Sequence, residues 1–478
     1  MTVWHLDELA RAIEGEISGG VLPVSIEAVG TDTRSLPPAS LFVALRGANF
    51  DGHHFIKQAV QSGAREVLVD RAGYAAHGPC DVPMLVVDDT LKALGDMAAY
   101  TRGLHHKPVV AITGSNGKTT TKELCAAALA ARGRVHRTAG NFNNLIGLPL
   151  TLLQWREQTW AAVVEMGMSM PGEIDRLAQI AAPDVGLITN VACAHLQGFK
   201  DLDQIGHAKG ELFARLEETA TAVINLDDST IMGIAVPKLS TSKRITFGRH
   251  KMADVRCIEA HTGIDGTRVT LGLGESTLHT DIPLLGEHNL YNSAGALACA
   301  LAVGLRADEA LAAMSLVEPA KGRLHVMRDV CFRGGEHLRK VQVIDDTYNA
   351  NPASAKVAFR ALERLAPNSR RVVILGDMLE LGADAAALHH EVGSFAGEVG
   401  IDWLLCFGQY GASVAQGARE VDVCAEHFDD VPSLLNALRN GLRDDDSILV
   451  KGSRGMSMDR FVTFMVGETD GVGGGEHG

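Results

Sequence analysis

The sequence predicts an α/β protein of three domains. From Pro108 onward, short apolar runs typical of buried parallel strands alternate with Ala-rich helical segments, and this alternation begins again near Lys321. The residues before it mix short strands with turns, and 478 residues are too many for a single core. We therefore expect a small N-terminal α/β domain at 1–88, a central parallel-sheet domain at 89–319 and a Rossmann-like C-terminal domain at 320–478, with a Gly-rich tail from about 467.

The expected elements follow the apolar pattern. In the first domain, strands at 41–45 and 82–87 accompany two loops, 31–38 and 46–53, and Asp88-Asp-Thr90 is a helix-start signal. In the second we predict strands at 109–113, 161–165, 185–190 and 222–225, an antiparallel stretch from 241 to 283, and a helix ending near Val303. In the third we predict strands at 341–345, 371–375, 403–407 and 447–450.

The segment Thr113-Gly-Ser-Asn-Gly-Lys-Thr-Thr120 has the features of a phosphate-binding loop. Gly114 and Gly117 permit backbone angles that direct amide N–H groups at phosphate oxygens. Lys118 adds a mobile positive charge, and the hydroxyl of Thr119 is placed to bind magnesium. The helix expected at 119–132 would direct its positive dipole end at the phosphates. The segment therefore predicts binding of a nucleoside triphosphate with magnesium.

This loop departs from the usual one at a single position, where Ile112 replaces a glycine. The alternative is a chance Gly-rich turn. The order of strand, Gly-Lys-Thr and helix favours the phosphate loop.

Composition excludes several classes of protein. The formal net charge of −14 counts against a general nucleic-acid binder. No apolar stretch approaches the roughly 20 residues that span a bilayer, and the acidic N-terminus does not resemble a signal peptide. We therefore expect a cytoplasmic protein without a membrane span. The eight cysteines contain no C-x-x-C pair, which favours buried free thiols over zinc or disulfides.

Three polar residues of the central domain follow the phosphate loop along the chain. Glu165 ends one strand, His195 follows another by a few residues, and Lys209 lies on a helix. Ligands of open α/β sheets gather at the carboxyl ends of strands, so these side chains are candidates for a metal or nucleotide site. Each also has a structural alternative: a helix cap, a loop histidine or a solvated face.

Polar segments also follow strands of the third domain, at 344–352, 375–382 and 450–455. The first places two carboxylates and two amides at a strand end, although a plain turn also favours Asp, Asn and Pro. The last offers two cations and a Ser hydroxyl, which suit a carboxylate ligand. The paired histidines at 53–54, 105–106 and 389–390 lack metal-ligand spacing, and we expect them at the surface.

Together these motifs resemble the ATP-dependent Mur ligases, the family that builds the peptidoglycan precursor. The resemblance covers about residues 31 to 454, and the family's phosphate loop has the same short form, which accounts for Ile112. Segments 139–149, 376–382 and 451–454 are most similar to the members that join D-alanyl-D-alanine to UDP-N-acetylmuramoyl-tripeptide. The resemblance implies that the three domains bind the UDP substrate, bind ATP and complete the ligase site, in that order.

The resemblance also implies roles for residues on the ATP side. The ATP phosphates would be held by Gly114, Ser115, Asn116, Gly117, Lys118, Thr119 and Thr120. Thr119 and Glu165 would bind one magnesium, and His195 and Lys209 would help bind a second. In most members the lysine matching Lys209 is carbamylated by carbon dioxide and so becomes an anionic ligand. With Lys118, these residues form the implied catalytic set, and the further nucleotide contacts would be Asn292, Arg323 and Asp346.

On the substrate side the resemblance implies two more groups of residues. The UDP moiety would be received by Thr33, Asn49 and Phe50, and the muramoyl-peptide would lie near Asn143 and Asn144. Lys451, Ser453 and Arg454 would contact substrate in the C-terminal domain. The implied partners are these small molecules, without nucleic acid, and we expect a monomer.

The implied reaction is an ATP-dependent ligation through an acyl phosphate, releasing ADP and phosphate. Related alternatives are the preceding ligase of the pathway and the folylpolyglutamate synthetases. The chain lacks the Asn-Pro-Arg motif of diaminopimelate-adding members, and its first 88 residues supply a domain that the synthetases lack. Two other classes are a phosphate-loop ATPase or kinase acting as a switch or motor, and a non-catalytic nucleotide-binding module. The latter would leave Glu165, His195 and Lys209 without a role.

Overall fold

The computed structural model describes residues 4–19, 25–47, 50–192, 199, 201–263, 265–334 and 337–467. The strands of these residues form three separate sheets of five, nine and six strands. This confirms the predicted α/β class with three sheet-containing units. The boundaries at 88 and 319 stay predictions, and the Gly-rich tail lies outside the described residues from 468 onward.

The N-terminal sheet has five short strands in the order β1-β5-β4-β3-β2, parallel except for the β1–β5 pair. Asp89 begins the helix that leads out of this unit, because its carboxylate accepts hydrogen bonds from the N–H groups of Leu91 and Lys92. The elements are α1 Leu6–Ala12, β1 Glu16–Ser18, β2 Ala28–Gly30, β3 Ser40–Val43, α2 Ile56–Gln61, β4 Ala64–Asp70, α3 Arg71–His77, β5 Met84–Val87 and α4 Thr90–Leu104.

The first part of the central unit carries the phosphate loop between a buried strand and a helix, as predicted. The four predicted strands are present within two residues of the expected bounds, and Lys209 is the last residue of its helix. The elements are β6 Val109–Thr113, α5 Lys118–Ala130, β7 Val135–Arg137, α6 Gly147–Leu153, β8 Ala161–Glu165, α7 Glu173–Ala181, β9 Val185–Ile188, α8 Leu202–Lys209, α9 Glu211–Ala214 and β10 Thr221–Asn225.

The second part completes the sheet, whose order is β14-β13-β12-β11-β10-β9-β6-β8-β7. The stretch from 241 to 283 is antiparallel only in part, because β11 pairs in parallel with both of its neighbours. The chain extends the sheet from β6 through β8 in one direction and through β9 in the other, so the order reverses at β6, where open α/β sheets bind ligands. The elements are β11 Arg244–Gly248, β12 Val255–Thr262, β13 Thr267–Leu273, β14 Ser276–Ile282, α10 Asn289–Ala302 and α11 Ala307–Met314.

The C-terminal sheet has the order β15-β16-β20-β17-β18-β19 and is parallel except for the β15–β16 pair. The sequence did not predict β15 as a strand, since its residues include charged and polar groups without a long apolar run. The elements are β15 His325–Gly334, β16 His337–Asp346, α12 Pro352–Leu365, β17 Arg371–Gly376, α13 Ala385–Glu398, β18 Trp403–Phe407, α14 Gly411–Arg419, β19 Cys424–Phe428, α15 Val431–Gly441, β20 Ser447–Lys451 and α16 Asp459–Gly467.

The prediction that the paired histidines lie at the surface is wrong for one member of each pair. His53, His105 and His389 are buried. The Nε2 atom of His53 accepts a hydrogen bond from the backbone N–H of Asp70 at 3.2 Å, and that of His389 accepts one from Met378 at 2.9 Å. These two rings thus satisfy buried backbone donors, a structural role that spacing cannot reveal.

The described cysteines are all free thiols. Four are buried, as expected, but Cys424 is exposed, and Cys193 lies outside the described residues. In the described part of the chain no group of three or more His, Cys, Asp or Glu residues is placed to hold a metal ion. No helix among the same residues is long and apolar enough to cross a membrane.

Glu66 is a buried carboxyl group on β4, away from the phosphate loop. It is 0% exposed, and neither carboxylate oxygen has a hydrogen-bond partner among the described residues. Burial raises the pKa of Glu66 to about 7 from an ordinary value of 4.5. Between these pH values the folded protein holds a proton that the unfolded chain has released, so stability falls as the pH rises.

We expect Glu66→Gln to remove this pH dependence. A shift of this size corresponds to about 3 kcal/mol of unfolding free energy, fully present below pH 4.5 and lost by about pH 7. Denaturant unfolding of both proteins at pH 5 and pH 8, followed by circular dichroism, measures the difference. If the free energy of unfolding fell equally from pH 5 to pH 8 in the wild type and the variant, Glu66 would not be the titrating group.

Candidate active site

A cleft of about 840 Å³ lies where the carboxyl ends of the central and C-terminal sheets meet. Parallel strands bring the residues that follow them to one edge of a sheet, and here two such edges share one cavity. The cleft is lined from the central side by Ser115–Thr121, Asn143, Asn144, Glu165, Thr189, Asn190 and Asn292, and from the C-terminal side by Arg323, Asp346, Tyr348, Asn351, Lys451 and Arg454.

The phosphate loop requires glycine at both of its predicted positions. Gly114 has φ +146°, and a Cβ atom there would lie 1.8 Å from the hydroxyl oxygen of Thr189. Gly117 has φ +79° and is followed directly by α5, and its Cβ would lie 2.5 Å from Oδ1 of Asn292. Side chains at these positions would clash and strain the backbone. The loop therefore closes tightly on its neighbours and leaves its N–H groups at the N-terminus of α5.

Residues after β9 brace the loop. The backbone N–H of Asn116 donates to Oδ1 of Asn190 at 3.0 Å, and the carbonyl of Asn116 accepts from Thr189 Oγ1 at 2.7 Å and from Asn190 Nδ2 at 3.0 Å. The hydroxyl of Ser115 donates to the carbonyl of Ala192 at 2.9 Å. Thr189 and Asn190 were not among the predicted site residues, although both lie where the strand was predicted to end.

Lys118 lies at the start of α5 and turns back over the loop. Its ammonium group donates to the carbonyl oxygens of Gly114 at 2.7 Å and Ser115 at 3.2 Å. Burial lowers the pKa of Lys118, and the nearby positive charge of Arg323 lowers it further, whereas Glu165 opposes the shift. Anionic phosphates in the cleft would favour the charged form of this lysine.

Thr119 and Glu165 form a buried pair of oxygen-bearing side chains that could bind a metal ion. The hydroxyl of Thr119 donates to Glu165 Oε2 at 2.9 Å, and Asn143 Nδ2 donates to Glu165 Oε1 at 2.8 Å. The position of the carboxylate is fixed by β8, where the N–H of Glu165 donates to the hydroxyl of Thr138 at 3.0 Å. The structure thus brings together the two predicted magnesium ligands, and it adds Asn143 as their neighbour.

Lys209 is buried at the end of α8 and is 2% exposed. Among the described residues its ammonium group has no hydrogen-bond or ion-pair partner. Burial lowers the pKa of Lys209 well below its ordinary value, and the positive charge of Lys118 adds to the shift. Lys209 is not among the residues that line the cleft, so its part in the site stays a prediction. His195 lies outside the described residues.

Arg323 reaches the phosphate loop from the start of the C-terminal unit. It donates to the hydroxyl of Thr119 at 2.8 Å, and its guanidinium lies 4.2 Å from the ring centre of Tyr348. Its Nε atom is buried and has no hydrogen-bond partner in the described structure. A buried cationic donor without an acceptor favours an anionic ligand at this point.

Asp346 and Lys451 end the neighbouring strands β16 and β20 and are paired in register. The ammonium of Lys451 donates to Asp346 Oδ2 at 2.6 Å and to the carbonyl of Asn349 at 2.9 Å. Burial raises the pKa of Asp346, and the charge of Lys451 opposes the shift. Both residues line the cleft, but the ammonium of Lys451 is already paired with a carboxylate.

Ser453 and Arg454, the other two predicted substrate contacts after β20, differ in how accessible they are to a ligand. The hydroxyl of Ser453 is buried, accepts from the N–H of Leu379 at 2.8 Å and lies 3.3 Å from the carbonyl of Ala350, so it braces the loop that follows β17. Arg454 is exposed, lines the cleft and lies 6.0 Å from the ring centre of Tyr348. Arg454 is thus the cation of this segment that remains accessible to a ligand.

Asn292 and Asn144 have structural contacts at the cleft wall. Asn292 Oδ1 accepts from the hydroxyl of Thr121 at 3.2 Å. Asn144 Oδ1 accepts from the N–H groups of Ile146 and Gly147, where α6 begins. Both residues line the cavity, but Asn292 Nδ2 also donates to Oδ1 of Asn289 at 3.0 Å, which leaves Asn144 Nδ2 as the amide group of the two without a partner among the described residues.

The residues predicted for the UDP moiety lie in the N-terminal unit. Thr33 is in the turn before β3, and Phe50 is 59% exposed in the loop before Gly52. Neither residue lines the cleft described above. Asn49 lies outside the described residues.

Three family models match consecutive parts of the chain. They are the Mur ligase family, catalytic domain, at residues 25–102, the Mur ligase middle domain at 112–300, and the Mur ligase, glutamate ligase domain, at 322–454. Each of them covers most of one of the three sheets.

The chain is also similar, over nearly its whole length, to curated Mur ligases and to solved structures of Mur ligases. The chain is 36% identical to UDP-N-acetylmuramoyl-tripeptide–D-alanyl-D-alanine ligase of Bacillus subtilis, covering 92% of this chain and 93% of that protein. It is also 36% identical to the Escherichia coli ligase of the same name, covering 96% and 97%. A crystal structure of MurF from Acinetobacter baumannii superposes with a TM-score of 0.85 at 31% identity, covering 97% of this chain and 99% of that one. MurF of Thermotoga maritima in complex with ADP gives 0.79 at 26% identity, covering 93% and 98%.

Proposed function

The chain belongs to the Mur ligase family, and we propose that it joins D-alanyl-D-alanine to UDP-N-acetylmuramoyl-tripeptide at the expense of ATP. The products are the UDP-muramoyl-pentapeptide precursor of peptidoglycan, ADP and phosphate. The observation that carries the proposal is the shared cleft, in which the phosphate loop and Glu165 face Arg323 and Arg454 of the other sheet. A ligase must hold a phosphoryl donor and two acceptors together, and a cavity between two strand edges supplies that arrangement.

The site fits ATP and magnesium. The phosphate loop and Lys118 suit the phosphates, and the unpaired Nε of Arg323 offers one more donor to an anion. Thr119 and Glu165 provide a hydroxyl and a carboxylate, the oxygen ligands that magnesium prefers, and they are already 2.9 Å apart. Bound there, magnesium would offset negative charge on the transferring phosphoryl group.

Lys209 is suited to carbamylation. Only a neutral amine adds to carbon dioxide, and burial favours the neutral form of Lys209. The nitrogen forms a bond to the carbon of carbon dioxide and releases one proton, so the side chain gains an anionic group. That group would pair with the charge of Lys118 and, together with His195, complete a second magnesium site.

The reaction needs no protein nucleophile. A tripeptide carboxylate oxygen attacks the γ-phosphorus of ATP, the bond to ADP breaks, and an acyl phosphate forms. The unprotonated amine of D-alanyl-D-alanine then attacks the acyl carbon, and the tetrahedral intermediate expels phosphate and loses the amine proton. The protein contributes alignment, and Lys118 and Arg323 stabilise the accumulating negative charge.

The UDP-muramoyl-tripeptide extends from the phosphate loop toward the N-terminal domain. The muramoyl-peptide lies along Asn143 and Asn144, and the UDP moiety is received by the N-terminal loops that contain Thr33, Asn49 and Phe50. In the C-terminal unit, Lys451, Ser453 and Arg454 contact substrate, and the hydrogen bonds of Lys451 and Ser453 also hold their segment in place. We further propose that the protein acts as a monomer in the cytoplasm.

Arg454 is the group we assign to the carboxylate of D-alanyl-D-alanine, because its guanidinium is exposed in the cleft. We expect Arg454→Ala to raise the KM for the dipeptide about ten- to a hundredfold, the effect of losing a charge-assisted hydrogen bond. The KM for ATP should stay within about twofold. Arg360→Ala, an exposed arginine on α12 that does not line the cleft, is the matched control. An unchanged dipeptide KM in Arg454→Ala would refute this assignment.

Phosphate release with ATP, magnesium and UDP-N-acetylmuramoyl-tripeptide tests the proposed function. Release that depends on D-alanyl-D-alanine, with a product of the mass of the UDP-muramoyl-pentapeptide, is the expected result. Turnover only with the UDP-dipeptide and a free diamino acid would place the chain one step earlier in the pathway. Phosphate release without any acceptor would instead indicate an ATPase.

A further inference from the structure

Asn351 connects the C-terminal unit to the phosphate loop. This residue precedes α12, and its Oδ1 accepts a hydrogen bond from the backbone N–H of Ser354 at 2.8 Å. The Nδ2 atom of the same side chain donates to Oδ1 of Asn116 at 2.8 Å, across 235 positions of the chain. The side-chain amide of Asn351 therefore caps a helix of the C-terminal domain and also contacts the phosphate loop of the central domain.

The hydrogen-bond network fixes the orientation of both amides. The backbone N–H of Ser354 can only donate, so the atom of Asn351 that faces it must be oxygen. The NH2 group of Asn351 then faces Asn116, which must present its own oxygen. The backbone of Asn116 is held by the side chains of Thr189 and Asn190. The side chain of Asn116 thus links a braced loop to the first turn of α12.

We propose that Asn351 is a positioning residue, which holds the C-terminal domain in a defined position relative to the phosphate loop. This inference rests on the proposed function. In that reaction the amine bound near Arg454 must meet an acyl phosphate formed at the loop, and small errors of placement reduce the rate strongly. A second cross-domain hydrogen bond, from Arg323 to Thr119, lies at the same edge of the loop. Asn351 differs from Arg323 because it caps α12, which packs on the C-terminal sheet.

Asn351→Ser separates the two roles of this side chain. Serine caps helices about as well as asparagine, but its side chain is shorter and carries no NH2 group for Asn116. We expect the midpoint of thermal unfolding to be unchanged and kcat to fall about fivefold, the effect of one neutral hydrogen bond. The dissociation constant of ATP, measured calorimetrically without acceptor, should stay within about twofold.

Ser354→Ala is the matched control. It removes the hydroxyl that accepts from the N–H of Asn351 but keeps the bond between Asn351 and Asn116. We expect a lower unfolding midpoint with kcat retained, the reverse of Asn351→Ser. In a double-mutant cycle, Asn351→Ser should cost no further activity once Asn116→Ala has removed the acceptor. Additive losses, or a wild-type kcat in Asn351→Ser, would overturn the proposal.

A second readout does not require ligation. A fluorescence energy-transfer pair on the exposed Cys424 and on Lys251→Cys reports the separation of the two domains. We expect Asn351→Ser to broaden the distance distribution, and Ser354→Ala to leave it unchanged. If the wild type showed no ligation, the proposed function would fail. The distance distribution alone would then test whether Asn351 positions the C-terminal domain. Equal distributions in the wild type and Asn351→Ser would then refute the inference.

Discussion

Lys118→Ala is expected to lower kcat for ligation by about 10²- to 10³-fold, the usual effect of removing one preorganised charge from a transition state. The ammonium group lies over the phosphate loop, 2.7 Å from the carbonyl of Gly114, where phosphate oxygens would replace the carbonyl contacts. The side chain is not needed for folding, because α5 begins at Lys118 and its buried face comes from later residues. We therefore expect circular dichroism and the unfolding midpoint to match those of the wild type. Coupled measurement of phosphate release gives kcat.

Lys92→Ala is the control for this experiment. Lys92 is an exposed lysine of α4 whose contact is a salt bridge to Asp96, so its removal should leave kcat unchanged. Lys118→Arg adds a second comparison, because it keeps the charge but presents a planar fork in place of a compact ammonium. Near-normal activity of Lys118→Ala would remove this lysine from the mechanism.

The phosphate loop could be predicted because its signal is local. Strand, glycines, Gly-Lys-Thr and helix are adjacent in sequence, and each has a physical reason for its place. Glu165 was found in the same way, as a carboxylate that ends a buried strand. The pairing of Glu165 with Thr119 at 2.9 Å follows from the neighbouring positions of β6 and β8.

The residues that sequence reasoning missed or misjudged depend on contacts between distant segments. Asn351 looked like a turn residue, since Asn before Pro also favours turns, and nothing local indicates that its amide reaches Asn116. The substrate contact of Ser453 stays a prediction, and nothing local indicated that its hydroxyl also accepts from the N–H of Leu379. The buried histidines His53 and His389 were misjudged because each accepts a hydrogen bond from the backbone of another loop or strand, a contact that the spacing of the histidines does not indicate.

Lys209→Ala is expected to be nearly inactive in ligation and to recover part of its activity with added formate or acetate. The native side chain is 2% exposed and has no partner among the described residues, and burial holds its pKa well below the ordinary value. A neutral buried amine is a poor ligand for magnesium, which prefers oxygen, but a good acceptor of carbon dioxide. Truncation to alanine leaves room for a small carboxylate that restores the missing negative charge.

Two controls separate this explanation from a loss of packing. Lys209→Arg fills the space but cannot form a carbamate, so it should be inactive and should not respond to carboxylates. Lys238→Ala removes a half-buried lysine that donates to the carbonyl of His207 on α8, and it should retain activity. Rescue that saturates with carboxylate and appears only in Lys209→Ala would support an anion at this position. Full activity of Lys209→Ala without additive would exclude the carbamate, and Lys209 would then be a buried lysine with no part in the reaction.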